Sequence, residues 1–525
     1  MSKDVNQFKS TVPGLDFDLE GPTADHLIDT SEWDAKSVYT HIHALQDEWE
    51  VVEVSSEATP YLPKRKTPLP VIVGIDEKKE YDLGTFEHIK LSEQLKYKKG
   101  YVINTGINIW GLDFVPKTPV MEEEDSKIQY LAVTGYRGST EEHIGIGDIQ
   151  PTGTYKNAIQ IWKLCLSVHE QVDPVLDMCL LHDFGVIFDL KWCPYGTYQE
   201  KEKDGLGKLG ILSFTCGDNT VRTLVVPHPE GVRRHMLSQP NASTIYLKVK
   251  SPRVTLGIAS SQPLFMAWGG HQKLAVGCST GGVIVWDMAS ILRDNERRDA
   301  QETRVDILLS ILVLDAAVSS VIFNGRYKAD KLVVTGYDGR TMLVDVSDPT
   351  IGYTVMRSRN LMKATTWASH APCFVFTDND NISRAFGVNE DGSTRMPKYG
   401  DTPGMCWQMA SSEHHGQFAL CTSVGWVRTS NLYYVKMRAL YLSQVCVYKL
   451  EYSEETHKFR YLDGIPSQTM EDSKKLTSYE QYGDSFHAIQ KLSWNPNKKT
   501  SAFLASGGAA GLCRIEFEGR GSKWE

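Results

Sequence analysis

No cysteine in this chain of 525 residues has a second cysteine at C-x-x-C spacing, and the ten cysteines are scattered. That excludes the usual zinc-ribbon ligand set and leaves no disulfide framework to read. Most of them, Cys216, Cys278 and Cys421 included, stand inside apolar stretches, the pattern of free thiols in a reducing compartment. No apolar run approaches membrane length, and the opening MSKDVNQFKS lacks the apolar core of a secretory signal. Positive charge is not in excess either. There are 56 Lys and Arg against 65 Asp and Glu, a net charge of −9. A dedicated DNA-binding domain is usually basic, so none is expected.

Catalytic signatures are missing too. The chain contains no G-x-x-x-x-G-K-[ST]. Gly205-Leu206-Gly207-Lys208-Leu209-Gly210 matches G-x-G-x-x-G, but it follows a charged loop and precedes the strand-like GILSFTC. A dinucleotide loop must instead follow a strand and open a helix, whose amides hold the phosphates. The segment therefore reads as a hairpin lead-in. His41 with His43, and His414 with His415, have no third ligand at metal spacing. The expectation is a non-enzymatic protein without cofactor or metal.

What is present is period-two alternation broken by turns. Residues 184–227 read FGVIFDLKWCPYG, a charged loop, then KLGILSFTCGDNTVRTLVVP. This is the pattern of antiparallel strands, most of one β-propeller blade. The unit recurs. Its bulky first-strand anchors are Phe114, Trp192, Trp268, Phe323, Trp367, Trp407 and Trp494, spaced 78, 76, 55, 44, 40 and 87 residues apart by subtraction. The shortest intervals match the roughly 40–45-residue WD period, and the longer ones are that period plus insertions. Trp162 and Trp286-Asp287 take the third-strand place where WD repeats carry Trp-Asp. Asp218, Asp338 and Asp380 recur at turns because Asp tolerates the turn and bonds the backbone locally. The expected fold is all-β, a seven-bladed WD40-type β-propeller with an acidic, partly disordered N-terminal extension.

Residues 1–70 form that extension with a proline-containing linker, 71–100 a lead-in, and 101–525 the propeller. Residues 1–60 carry thirteen acidic and three basic residues. Such composition favours disorder in a free chain. Trp33, Tyr39 and Trp49 are too bulky for a plain solubility tail, so part of it should dock, on the propeller or on a partner. Within the lead-in, 71–91 is one candidate for the strand that closes the ring. Pro63-Lys64-Arg65-Lys66 reads equally as a minimal nuclear-import signal or a solvated basic turn. Loops 135–157 and 453–485 are the candidate partner-contact loops.

Two basic groups are candidates for nucleic-acid or acidic-partner contact. Arg233, Arg234, Lys248, Lys250 and Arg253 form the first. Arg293, Arg297 and Arg298 form the second, on one face of a short helix-like stretch, MASILRDNERRDAQETR. For the second group a solvated helix with intrahelical charge pairs is the plainer reading.

The stretch FDLKWCPYG…KLGILSFTCGDNTVRTLVVP, with YLAVTGY and AIQIWKL upstream and LAVGCSTGGVIVWDM downstream, resembles one WD-repeat family. This is the propeller subunit of TFIIIC, the general transcription factor of RNA polymerase III, in its ninety-kilodalton-class fungal form and its animal counterpart. The resemblance is clearest over residues 100–345. It implies a nuclear scaffold in a heteromeric complex, paired with a second WD propeller subunit. A large DNA-binding subunit would grip the B-block of transfer-RNA-type promoters, so that this chain meets promoter DNA mainly indirectly and no membrane at all. Many family members carry a basic N-terminal extension, whereas the first sixty residues here are acidic. A WD-repeat adaptor of another nuclear complex, a ubiquitin-ligase substrate receptor or chromatin scaffold, is the alternative.

Overall fold

A computed structural model describes residues 37–53, 55–117, 127–138, 143–169, 172–199, 205–238, 243–325, 329–350, 352–358, 364–369, 373–377, 381–388, 394–395, 398–401, 403–432, 444–466 and 485–519. Trp33 and Asp380 lie outside them.

The described strands form seven sheets, each starting from an inner strand. In chain order the inner strands are Asn108–Phe114, Ile187–Trp192, Pro263–Gly269, Val318–Phe323, Thr365–Ala368, Cys406–Ser411 and Ile489–Trp494. Each touches the next, and the seventh touches the first, so the ring closes. This is an all-β propeller. Every expected anchor falls on an inner strand, and Trp162 and Trp286 lie on third strands, both nearly fully buried.

A recurring irregularity explains one misplaced anchor. In six inner strands, pairing with the second strand skips one residue: Trp110, Phe188, Leu264, Ser319, Trp407 and Gln490. Such bulges re-aim a side chain and sharpen strand twist. Phe114, Trp192, Trp268, Phe323 and Trp494 each stand four residues after the bulge. Trp407 is itself the bulge, so the equivalent anchor position in the sixth sheet is Ser411. Aromatic bulk misplaces this anchor because the sixth sheet carries its tryptophan at the bulge.

Sequences flanking the ring extend several sheets. In the first sheet, Ile245–Val249 pairs parallel with Val172–His182, and Trp49–Val51 pairs antiparallel on its outer side. Ile245–Val249 belongs in sequence to the second sheet's insertion, beside the helix Pro229–His235; this crossover is why two anchors lie 76 residues apart. The sixth sheet takes Gln444–Ser453, Lys458–Leu462, Leu69–Val73 and Lys79–Leu83.

Closure is made by Gly100–Asn104, antiparallel to the C-terminal strand Leu512–Phe517, with His88–Lys90 outside it. The lead-in is thus divided between two sheets, and the strand paired with the C-terminal one lies beyond 71–91. A buried ion cluster holds this seam. Arg514 grips Asp463 with both its Nη atoms and also reaches Glu516, at 2.9 Å. Lys98 reaches Glu516 at 2.7 Å and Glu518 at 3.0 Å. Tyr448 and Tyr461 face the guanidinium, at 4.5 and 5.1 Å. Burial opposes the charge on Lys98, yet Glu516 and Glu518 hold its pKa above the usual lysine range.

Candidate interaction surfaces

The inner strands enclose a channel with a cavity of about 290 Å³, lined among others by Trp110, Trp192, Trp268, Trp367, Trp407 and Trp494. Three of these tryptophans act as staples between sheets. The indole N–H donates to a backbone carbonyl on the preceding inner strand: Trp192 to Asp113 at 3.2 Å, Trp268 to Lys191 at 3.4 Å, Trp494 to Ala410 at 3.1 Å. In a second set the backbone amide donates and a side chain of the preceding inner strand accepts. Asp113 accepts from the Trp192 amide, Asp189 from Met266, Thr366 from Ser411 and Gln408 from Leu492. Each staple therefore packs an aromatic ring and ties its N–H to the backbone of the preceding sheet.

Asp189 also forms an ion pair with Lys491 at 2.9 Å, joining the second sheet to the seventh. Ser493 donates to Asp113 at 3.1 Å. Burial lowers the Lys491 pKa, with Asp189 opposing that shift. Burial likewise opposes the charge on Lys191, but Asp113 and Asp189 hold its pKa above the ordinary value. These groups are spent on each other. Trp494→Phe keeps an aromatic ring but deletes the N–H and the fused pyrrole ring, and is expected to cost about 2–3 kcal/mol, roughly 1 of it for the hydrogen bond. Urea unfolding at constant m-value measures it.

The extension enters as a strap. Tyr39 is buried and donates its hydroxyl proton to the His271 carbonyl at 2.5 Å. Lys208 donates to the carbonyls of Tyr39 and Ile42, both at 2.7 Å. Trp49 packs among Tyr130, Ile161, Leu180 and Leu247 in the core between the first two sheets. Glu48 meets Arg253 at 2.7 and 3.1 Å, with both side chains buried. Residues 37–53 thus tie three sheets together. The acidic composition gives no sign that one of its acids, Glu48, is buried against Arg253.

That arginine was a candidate ligand contact. Arg253 is 0% exposed, and its remaining N–H groups donate to His43 O and Asn295 Oδ1, so it faces no solvent-borne ligand. Arg233 pairs with Asp177 and Glu230. Lys248 stands 3.9 Å from Glu50, while Arg234 and Lys250 are exposed. The helix-like stretch is α-helical over Met288–Ile291 alone, capped by Asp287 and ending at Leu292, with a 3-10 turn at Glu302–Asp306. Arg293, Arg297 and Arg298 therefore share no helical face. Arg298 pairs with Asp294 and Glu296, Arg297 with Asp47, and Arg293 lies 3.5 Å from Asp294. The chain turns extended here because the Arg298 backbone bridges Arg253 and Thr255.

Three of the four paired histidines bond backbone carbonyls. His41 reaches Leu292 at 2.9 Å, His414 Pro496 at 2.7 Å and His415 Ser501 at 3.1 Å. Residues 205–210 run into the strand Lys208–Cys216. Among the described residues no His/Cys/Asp/Glu group has metal-site geometry.

No family model matches the chain. It is 25% identical over 430 residues, 80% of its length, to "Transcription factor tau subunit sfc6" of Schizosaccharomyces pombe. It is 26% identical over 254 residues, 44% of its length, to "General transcription factor 3C polypeptide 2" of Homo sapiens and of Pongo abelii. The chain resembles TFIIIC subunits. It spans 65% of the fission-yeast relative and 27% of the animal ones.

Two segments bear on the assembly a TFIIIC-like chain would join. Residues 143–156 fold over the second sheet. Gln150 accepts from the Val186 amide at 2.7 Å, and Thr152 donates to Asp218 at 2.8 Å. In the segment 453–485, expected as a loop, Lys458–Leu462 is a strand and residues 467–484 lie outside the described ones. The sequence KFRYL carries the signal, since Phe459 and Tyr461 alternate inward. The Lys64 amide donates to the Arg137 carbonyl and the Arg65 carbonyl accepts from Thr85, so the basic cluster is a pinned turn.

Proposed function

We propose that this chain is a non-enzymatic scaffold subunit of TFIIIC, acting in the nucleus in RNA polymerase III transcription of transfer-RNA-type genes. The observation that carries the reading is the similarity to the fission-yeast tau subunit, which extends over 80% of the chain. We read the seven sheets as seven blades, with 101–525 as the propeller, 71–100 as its lead-in and 1–70 as the extension that supplies the strap. A stapled ring suits a scaffold, because partners meet a surface that needs no ordering cost at assembly.

On this reading the chain pairs with a second propeller subunit and supports B-block recognition by a large DNA-binding subunit. It meets DNA indirectly. A protein that neutralises several phosphates needs free basic side chains, and most of the candidate arginines here are occupied by acids.

The test is a tagged pull-down from native nuclear extract with mass spectrometry. Recovery of a second WD propeller and a very large DNA-binding subunit is expected. Recovery of cullin-ligase components or histone modifiers would instead favour an adaptor and overturn the proposal. Isolated chain that bound B-block DNA tightly at physiological salt would overturn the indirect role.

A further inference from the structure

The outer strand of the third sheet, Ile307–Leu312, differs from the edges of the first, second, sixth and seventh sheets. It pairs on one side with Gly282–Asp287 and on the other with nothing described. Its sequence ILLSIL continues as Val313-Leu314, eight residues without a charge. Leu308 is 48% exposed, Leu312 72% and the adjacent Val305 87%. An uncharged, apolar edge is a template for another strand, and proteins ordinarily blunt it with charge, proline or a covering segment.

Four other edges are blunted in those ways. The sixth sheet ends in KEYDL and the seventh in HIK. The first ends in Trp49–Val51, with Glu50 exposed. The second sheet's edge, Val254–Gly257, is covered: the Thr255 amide donates to the Arg298 carbonyl at 2.9 Å. Only on the third sheet, among these five, does an apolar row stay open.

We propose that an extended, uncharged strand of another polypeptide in the assembled complex pairs with Ile307–Leu312. This rests on the heteromeric scaffold reading above. The incoming strand adds main-chain hydrogen bonds and places alternate apolar side chains against Leu308 and Leu312. Arg304, exposed three residues before the row, favours an acidic residue flanking the incoming strand rather than within it. A second copy laid antiparallel about Ser310 would also match Leu308 with Leu312. The row, however, offers a patch of roughly a few hundred Å². A stable pair buries roughly 800 Å² on each partner. A strand projecting from a larger partner makes up the difference through that partner's other contacts.

The experiment places a photo-cross-linking benzoylphenylalanine at Leu308, and separately at Leu312, in tagged full-length chain purified with its native complex. Cross-links from both positions are expected within one stretch of about ten residues of one other polypeptide, since strands rise about 3.3 Å per residue. Amide exchange of residues 307–312 is expected to slow at least tenfold in the complex relative to the chain alone. Leu308→Lys with Leu312→Lys should abolish that slowing and leave the melting temperature of the isolated chain unchanged. Cross-links to this chain's own residues, to a second copy, or scattered over several polypeptides would overturn the proposal, as would unchanged exchange. The identities of the co-purifying proteins test the TFIIIC reading separately, because a single-stretch cross-link into a non-TFIIIC protein would sink that reading alone.

Discussion

Glu48→Ala destabilises the folded chain by about 3–5 kcal/mol, the cost of stranding a buried charge. Arg253 is the charge left behind, wholly buried with only His43 O and Asn295 Oδ1 remaining to it. The native pair is not itself a large net stabiliser. Burial holds the Glu48 carboxyl above the usual carboxylate range, with Arg253 and Arg297 pulling the other way. Desolvation therefore offsets much of the attraction. Replacing both partners, Glu48→Leu with Arg253→Leu, is accordingly expected to cost far less than Glu48→Ala alone. Chemical denaturation of the two variants measures the difference. Amide exchange at Trp49–Val51 reports whether the strap detaches first, since that strand pairs only along its Ile245–Val249 side. Equal losses in the two variants would mean that Arg253 finds another partner or water.

The second large effect is acid. His182 and His228 are both buried, and desolvation lowers each pKa from 6.5 to about 3, with Arg222 contributing at His182 and Lys117 at His228. Both are held neutral by geometry. His182 Nδ1 accepts from the Phe184 amide, and its Nε2 has no partner among the described residues. His228 Nδ1 accepts from the Glu230 amide, so its Nε2 proton points to the Tyr198 hydroxyl at 3.0 Å.

The unfolded chain binds these protons at 6.5 and the folded chain only near 3. Stability is therefore complete above pH 6.5 and falls as pH drops toward 3. Near pH 4.5 the loss is about 2–3 kcal/mol for each histidine, about 5 for the pair. Urea titrations between pH 7 and 4.5 measure the slope. His182→Gln with His228→Gln should flatten it even if the variant is less stable at pH 7. An unchanged slope would assign the acid sensitivity to other groups.

The sequence by itself determined the strands. Alternation, turn residues and a recurring aromatic are local signals, and each inner strand lay where the repeat put it. The hairpin role of 205–210 was equally local, because what precedes and follows a glycine motif decides its use. The tertiary structure alone decided who meets whom. Lys458–Leu462 was readable from its alternation, but its pairing with Leu69–Val73, nearly four hundred residues earlier, was not. Gly100–Asn104 closes the ring through a register that only the assembled sheet defines. Trp407 looked like an anchor until the bulge placed it four residues early. Arg253 looked like a surface cation until Glu48, 205 residues away, was folded against it. Periodicity reports which face of an element is buried, whereas charge pairing and edge coverage depend on contacts between distant segments, which no local window contains.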